Sequence, residues 1–180
     1  KYKTYGFSSA DHVFATNIMM DGFRSTFDCI VDGSNRGPVV LNVPGRHNIA
    51  NAMACISLGE ELTIDFSIIC QSLESFTGVQ RRFQTLGEFN GGYIIDDYAH
   101  HPTEILATLQ TAKELSNGRV VGIFQPHRYT RFKSLWKEFM DSLNDIDYLV
   151  VTDVYEASES PIEGVNSSRF VQELNKICDN

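Results

Sequence analysis

Between Tyr93 and Ile177, short apolar runs alternate with amphipathic stretches, and this alternation constrains the fold more than any other feature of the chain. Tyr93–Asp96, Arg119–Phe124 and Tyr148–Asp153 read as strands. Pro102 to Leu115 turns Ile105, Leu109 and Ala112 to one side, and Phe132 to Leu143 does the same with Leu135, Trp136, Phe139 and Met140. Ser167 to Ile177 reads as a last helix. Strand, helix, strand, helix, strand predicts parallel pairing with right-handed crossovers. Arg119–Phe124 is nearly all apolar and Tyr148–Asp153 reads as buried too, as strands covered on both faces should be. Pro102 suits a first helical position, where its missing N–H is no loss, and Asn117-Gly118 supplies C-cap chemistry. Phe83–Phe89 and Tyr93–Asp96 flank an Asn90-Gly91-Gly92 hairpin turn.

The chain before this region has a different texture. Thr4–Phe7, Val13–Met19, Phe23–Val31 and Val39–Val43 read as β-structure, with turn signals at Asp21-Gly22 and Asp32-Gly33-Ser34-Asn35. The partial alternation from Phe23 to Ile30 predicts one covered face. His47 to Leu58, preceded by Pro44-Gly45, aligns Ile49, Ala52, Met53 and Ile56. Thr63-Ile64-Asp65 then offers an N-cap for a helix through Phe66, Ile69, Leu73 and Phe76. Gly78 ends that helix, so two domains are expected, 1–78 and 79–180, of overall α/β class.

Charge narrows the partners. The net charge is −8, which argues against a nucleic-acid binder. Yet Gly78 to Leu135 holds seven basic and five acidic residues, against eight and eighteen elsewhere. A small anionic ligand fits that local excess. No segment reaches a membrane-spanning length, and the polar residues after Lys1–Gly6 do not suggest a signal peptide. Cys29, Cys55, Cys70 and Cys178 show no CxxC spacing, which predicts buried free thiols in a reducing cytoplasm rather than a zinc site.

Five segments, most at strand ends or helix starts, concentrate polar chemistry. Asp96-Asp97-Tyr98-Ala99-His100-His101-Pro102-Thr103-Glu104 lies where a strand hands over to a helix, the place where open α/β sheets bind ligands and helix N-termini favour anions. It also fits a solvated loop with a helix cap. Gln125-Pro126-His127-Arg128-Tyr129-Thr130-Arg131-Phe132 occupies the same position one βα unit later, and neighbouring parallel strands would set the two loops side by side. Arg128 and Arg131, three apart, can both reach one phosphate or carboxylate. Asn48 and Asn51 share a face of the first helix, where side-chain amides suit a purine edge or simply cap the helix. Arg81-Arg82, read as extended, would send its side chains different ways, with Arg82 the better ligand candidate, though a solvated linker pair is the usual explanation of such a doublet. Asp153-Val154-Tyr155-Glu156 ends a third strand on the same rim, and its acids fit an amine, a metal or water.

Other templates fail. His101 to Glu104 is HxxE, not HExxH, and no GxSxG elbow, active-cysteine motif or GxxxxGK[ST] phosphate loop occurs. A metal-hydrolase cluster of Asp96, Asp97, His100, His101 and His127 is disfavoured by arginines that would compete with a cation for the same anions.

Taken together, Pro44-Gly45-Arg46-His47-Asn48-Ile49-Ala50-Asn51, Arg81-Arg82-Phe83, Asp97-Tyr98-Ala99-His100-His101-Pro102-Thr103-Glu104, Phe124-Gln125-Pro126-His127-Arg128-Tyr129-Thr130-Arg131 and Asp153-Val154-Tyr155 resemble the ATP-dependent Mur ligases in identity, order and spacing. The Gln-Pro-His-Arg-Tyr piece points to the branch that adds L-alanine to UDP-N-acetylmuramate, with the branch attaching a recycled murein peptide as the alternative. A non-catalytic α/β anion-binding module is the alternative from another class.

The resemblance implies the β-rich and helical tail of a P-loop-type central domain (1–78), followed by a Rossmann-like C-terminal domain with a mostly parallel sheet (79–180). It implies further family sequence on both sides and no catalysis by this piece alone. The chemistry it implies is cytoplasmic amide formation in peptidoglycan synthesis, with ATP and Mg²⁺, through an acyl phosphate. Asn48 and Asn51 would meet adenine; Arg82 and one of Asp96 or Asp97 would meet the ribose-phosphate. Tyr98, His100, Arg128 and Arg131 would close onto phosphates and carboxylates of the reacting species. The partners implied are the two substrates and the rest of the enzyme, with no nucleic acid and no membrane.

Overall fold

The computed structural model describes residues 2–178, leaving the side chain of Cys178 outside the description. Its contacts divide the chain into two compact units after Asp97. In the first, β1 (Tyr5–Gly6), β2 (Val13–Asp21), β3 (Arg24–Val31) and β4 (Ser34–Leu41) form one sheet in that order. β1 joins parallel and the others pair antiparallel. β3 alternates as expected: Ser25, Phe27, Cys29 and Val31 are buried, and the intervening residues are not. Helix α1 (Arg46–Glu61) lays Ile49, Ala52, Met53 and Ile56 on the covered face, and α2 (Phe66–Ser75) adds Ile69. Asp65 caps α2 by accepting the Ser67 N–H at 2.8 Å.

The hairpin β5 (Gln84–Phe89) and β6 (Gly92–Asp96) belongs to the same unit, because Phe23 packs against Phe83 at 6.5 Å and Tyr93 at 5.2 Å between ring centroids. Asn90 and Gly91 are left-handed, as this tight turn requires. The division of contacts therefore falls later than the boundary expected near Gly78.

The second unit holds α3 (Pro102–Leu115), β7 (Val121–Phe124), α4 (Tyr129–Ser134), α5 (Trp136–Leu143), β8 (Tyr148–Val151) and α6 (Ser167–Cys178). β7 and β8 pair in parallel, Val121 opposite Tyr148 through Phe124 opposite Val151. Phe132, Phe139, Phe170 and Trp136 form an aromatic belt under this pair. Each buried phenylalanine contributes about 2–3 kcal/mol by leaving water.

Several expectations are corrected. Among the described strands, β7 pairs with β8 alone in place of the longer parallel series expected, while the expected β5–β6 hairpin forms. β7 and β8 are covered on one face only: Val121, Ile123, Tyr148 and Val150 are exposed, while Phe124 is buried. An apolar run thus marked apolar residues, not two covered faces. The helix expected over 132–143 starts at Tyr129 and breaks at Leu135, whose ψ of 25° is not helical. α3 ends at an extended Ser116, before Asn117-Gly118. Among the thiols, Cys29 is buried, Cys70 intermediate and Cys55 exposed, because Cys55 falls outside the packed stripe of α1.

Candidate functional site

The residues singled out from sequence fall into both units. In the first, Gly45 precedes α1 with φ 93°, a left-handed conformation that glycine tolerates. Asn48 Nδ2 donates to the Pro44 carbonyl at 2.7 Å, and Asn51 Nδ2 donates to Asn48 Oδ1 at 3.4 Å. The amides share a face, with Asn51 exposed.

Residues 79–83 form a turn, not the extended segment expected: the Arg82 N–H reaches the Val79 carbonyl at 3.2 Å, and Arg81 and Phe83 are left-handed. Asp97 Oδ2 accepts the Phe83 N–H at 2.9 Å, and Arg81 Nε lies 3.5 Å from Asp96 Oδ2. The adjacent carboxylates therefore fix the arginine turn at two points. Arg82 is exposed.

In the second unit, the Tyr98–Glu104 loop is built around the start of α3. Glu104 Oε2 accepts the N–H groups of His100 (3.0 Å) and His101 (3.3 Å), and His101 Nδ1 accepts the Thr103 N–H at 3.3 Å. This satisfies otherwise orphaned donors. His100 Nδ1 lies 2.9 Å from the Tyr98 carbonyl, which can only accept. Nδ1 therefore carries a proton, and in the neutral tautomer of this ring the lone pair lies on Nε2.

The Gln125–Arg131 loop meets this one. The His100 and His127 rings are 6.3 Å apart, Tyr98 stands 5.0 Å edge-on to His100, and His127 stacks on Tyr155 at 5.2 Å. Arg131 Nη1 donates to His127 Nδ1 at 3.4 Å. Burial, reinforced by Arg131, Arg128 and His100, pushes the His127 pKa below its usual value. A neutral His127 with an occupied Nδ1 carries its proton on Nε2. One ring thus offers an acceptor and its neighbour a donor, beside two guanidinium groups.

Tyr98, His100 and Arg131 are brought into one row, and Arg128 joins it through the backbone. The Arg128 N–H reaches the Tyr155 carbonyl at 2.8 Å, and the Tyr155 N–H reaches the Pro126 carbonyl at 2.8 Å. His127, at the centre of the row, is a residue that sequence reading weighed only as a metal ligand. Its place next to Arg128 and four residues before Arg131 was the available signal. Glu159 accepts the Thr130 hydroxyl (2.6 Å) and N–H (2.9 Å), which hold its carboxyl below the usual range. Among the described residues no three His, Cys, Asp or Glu side chains gather to hold a metal ion.

Residues 81–179 match the Mur ligase, glutamate ligase domain, family model. The chain belongs to the Mur ligase family. It is 43% identical over 193 residues to the UDP-N-acetylmuramate–L-alanine ligase of Geotalea daltonii, covering 99% of this chain and 42% of that protein. The same-named ligase of Rickettsia felis is 45% identical over 186 residues, covering 98% and 39%. The crystal structure of the UDP-N-acetylmuramate-alanine ligase from Thermotoga maritima superposes with a TM-score of 0.79 at 31% identity, covering 97% of this chain and 37% of that one. The chain spans about two fifths of the length of the curated relatives it matches. The Mur ligase match and this superposition agree with the α/β class expected from the alternating pattern.

Proposed function

We propose that this Mur ligase chain is part of an ATP-dependent enzyme joining L-alanine to UDP-N-acetylmuramate, in the making of peptidoglycan precursors. The observation that carries the reading is the row Tyr98, His100, His127 and Arg131, with Arg128 alongside, on one strand-end rim. Residues 1–78 would be the end of a central ATP-binding domain and 79–180 the C-terminal ligase domain. No described helix is long and apolar enough to cross a membrane, and a cytoplasmic reaction is proposed.

In that reaction the muramoyl carboxylate attacks the terminal phosphorus of ATP and ADP leaves. The L-alanine amine then attacks the acyl carbon and phosphate leaves. Both steps shift negative charge between oxygens, and fixed cationic donors stabilise such a shift. Arg128 and Arg131 are assigned that work. The His100 Nε2 lone pair suits the proton lost by the amine, and the His127 Nε2–H suits a carboxylate oxygen. Tyr98 packs beside His100 and limits its ring orientation. Asn48 and Asn51 are assigned to adenine. Arg82, with one of Asp96 and Asp97, is assigned to the ribose-phosphate.

The chain contains no GxxxxGK[ST] loop, so phosphate binding would rest on a part of the ligase beyond these residues. The residues described do not by themselves fit a Mg²⁺ site, and no step is assigned to that ion.

The test is ADP release by the full-length protein, dependent on both UDP-N-acetylmuramate and L-alanine. Arg128→Ala and His100→Ala should each lower kcat by at least ~100-fold while circular dichroism stays unchanged. Normal turnover in both variants would reject the assignment. Turnover with a murein tripeptide but not with L-alanine would favour the peptide-attaching sister ligase.

A further inference from the structure

Three residues other than glycine hold left-handed backbones around one contact on this rim. Arg128 has φ 71° and ψ 130°, and Ala157 and Ser158 follow each other at φ 48° and 68°. Left-handed conformations are unfavourable for residues with a Cβ, and they persist only where the surroundings impose them. Ala157 and Ser158 are the central pair of a turn closed by the Glu159 N–H on the Glu156 carbonyl at 3.0 Å. Glycine, asparagine or aspartate normally fills such positions. What this turn delivers is the Glu159 carboxylate, which takes both the hydroxyl and the N–H of Thr130. Thr130 follows Arg128 by two residues, and the Arg128 N–H is fixed on Tyr155 in the same returning loop. The 155–159 segment therefore grips the Arg128–Thr130 backbone at both ends.

We propose that Glu159 is a positioning residue, which holds the start of α4 so that the Arg128 guanidinium is presented to the reacting anion. α4 has only six residues and little rigidity of its own, so its first turn needs an external anchor. Thr130 has two donors on the same side, and the two oxygens of one carboxylate accept from both at once. The inference rests on the ligase reading of Arg128 given above.

The experiment uses the full-length enzyme and compares Glu159→Leu, Glu159→Ala and Arg128→Ala singly and in pairs. Glu159→Ala should lower kcat/KM for L-alanine roughly tenfold or more, with the melting temperature within a few degrees of wild type. Amide hydrogen exchange at 129–132 should accelerate while the β7–β8 amides keep their protection. Adding Glu159→Ala to Arg128→Ala should cost nothing further, since the residue proposed to be positioned is gone. Ser158→Gly, which relieves the turn and keeps the carboxylate, should retain full activity. Additive losses in the double variant, or unchanged exchange at 129–132, would overturn the proposal. Should Glu159→Ala fail to fold, Glu159→Leu supplies the same comparison. A wild-type enzyme without turnover would instead reject the ligase reading, leaving the exchange data to judge the contact itself.

Discussion

Burial, reinforced by Arg131, Arg128 and His100, decides which form of the His127 ring is stable. Its folded pKa lies below the unfolded value, so the neutral ring is the one the fold accommodates. As pH falls through the unfolded value near 6.5, the unfolded chain takes up a proton that the folded chain resists. Stability from this group is therefore present above that value and is lost as pH falls through the folded one. In an imidazole NMR titration the His127 midpoint should lie below that of a free histidine, and Arg131→Met should raise it. A midpoint at or above the free value would contradict a neutral His127. The candidate residues were readable because they are chemically costly where they stand: two arginines at a helix start invite an anion. Their exact partners were not readable, since Glu159 and Tyr155 lie more than twenty residues further along the chain.

At the scale of elements, α1 meets α2 where Gly59 faces Ile69. A Cβ there would stand 2.5 Å from Ile69 Cδ1 and 3.0 Å from its Cγ1. Helix propensity alone would make Gly59→Ala stabilising by about 1 kcal/mol, but Ile69 is buried and its side chain has little room to move. The substitution should therefore destabilise by about 1 kcal/mol in urea denaturation, and Ile69→Val should recover most of the loss. A more stable Gly59→Ala would show that Ile69 swings aside freely. Helices were well marked by local signals: the Asp65 cap and Pro102 start each stand where the chain places them. The break at Leu135 carried no glycine or proline to announce it. It lets Phe132 and Trp136 both turn onto Phe170, at 5.0 and 5.2 Å, a demand made by a partner helix far along the chain.

For the molecule as a whole, nucleotide binding should be the property most weakened by what this chain lacks. The proposed adenine and ribose contacts, without a phosphate loop, would leave a few exposed hydrogen bonds, each contributing about 1 kcal/mol. Calorimetry on the chain alone should give an ATP affinity no tighter than about 0.1 mM. Low-micromolar binding would mean that some other part of the chain grips the phosphates. The alternation of apolar runs with amphipathic stretches determined the order of strands and helices, because periodicity is a local property of side chains along the backbone. The same local chemistry marked both rim loops, since caps and clustered charges act within a few residues. How many strands share a sheet was decided only in three dimensions: β5 and β6 form the hairpin their turn announced, while β7 and β8 make a parallel pair of their own. The neutral His127, the left-handed Arg128 and the grip of Glu159 on Thr130 also belong to the tertiary structure. Each depends on distances between loops, and a sequence specifies those only through the packing of everything between them.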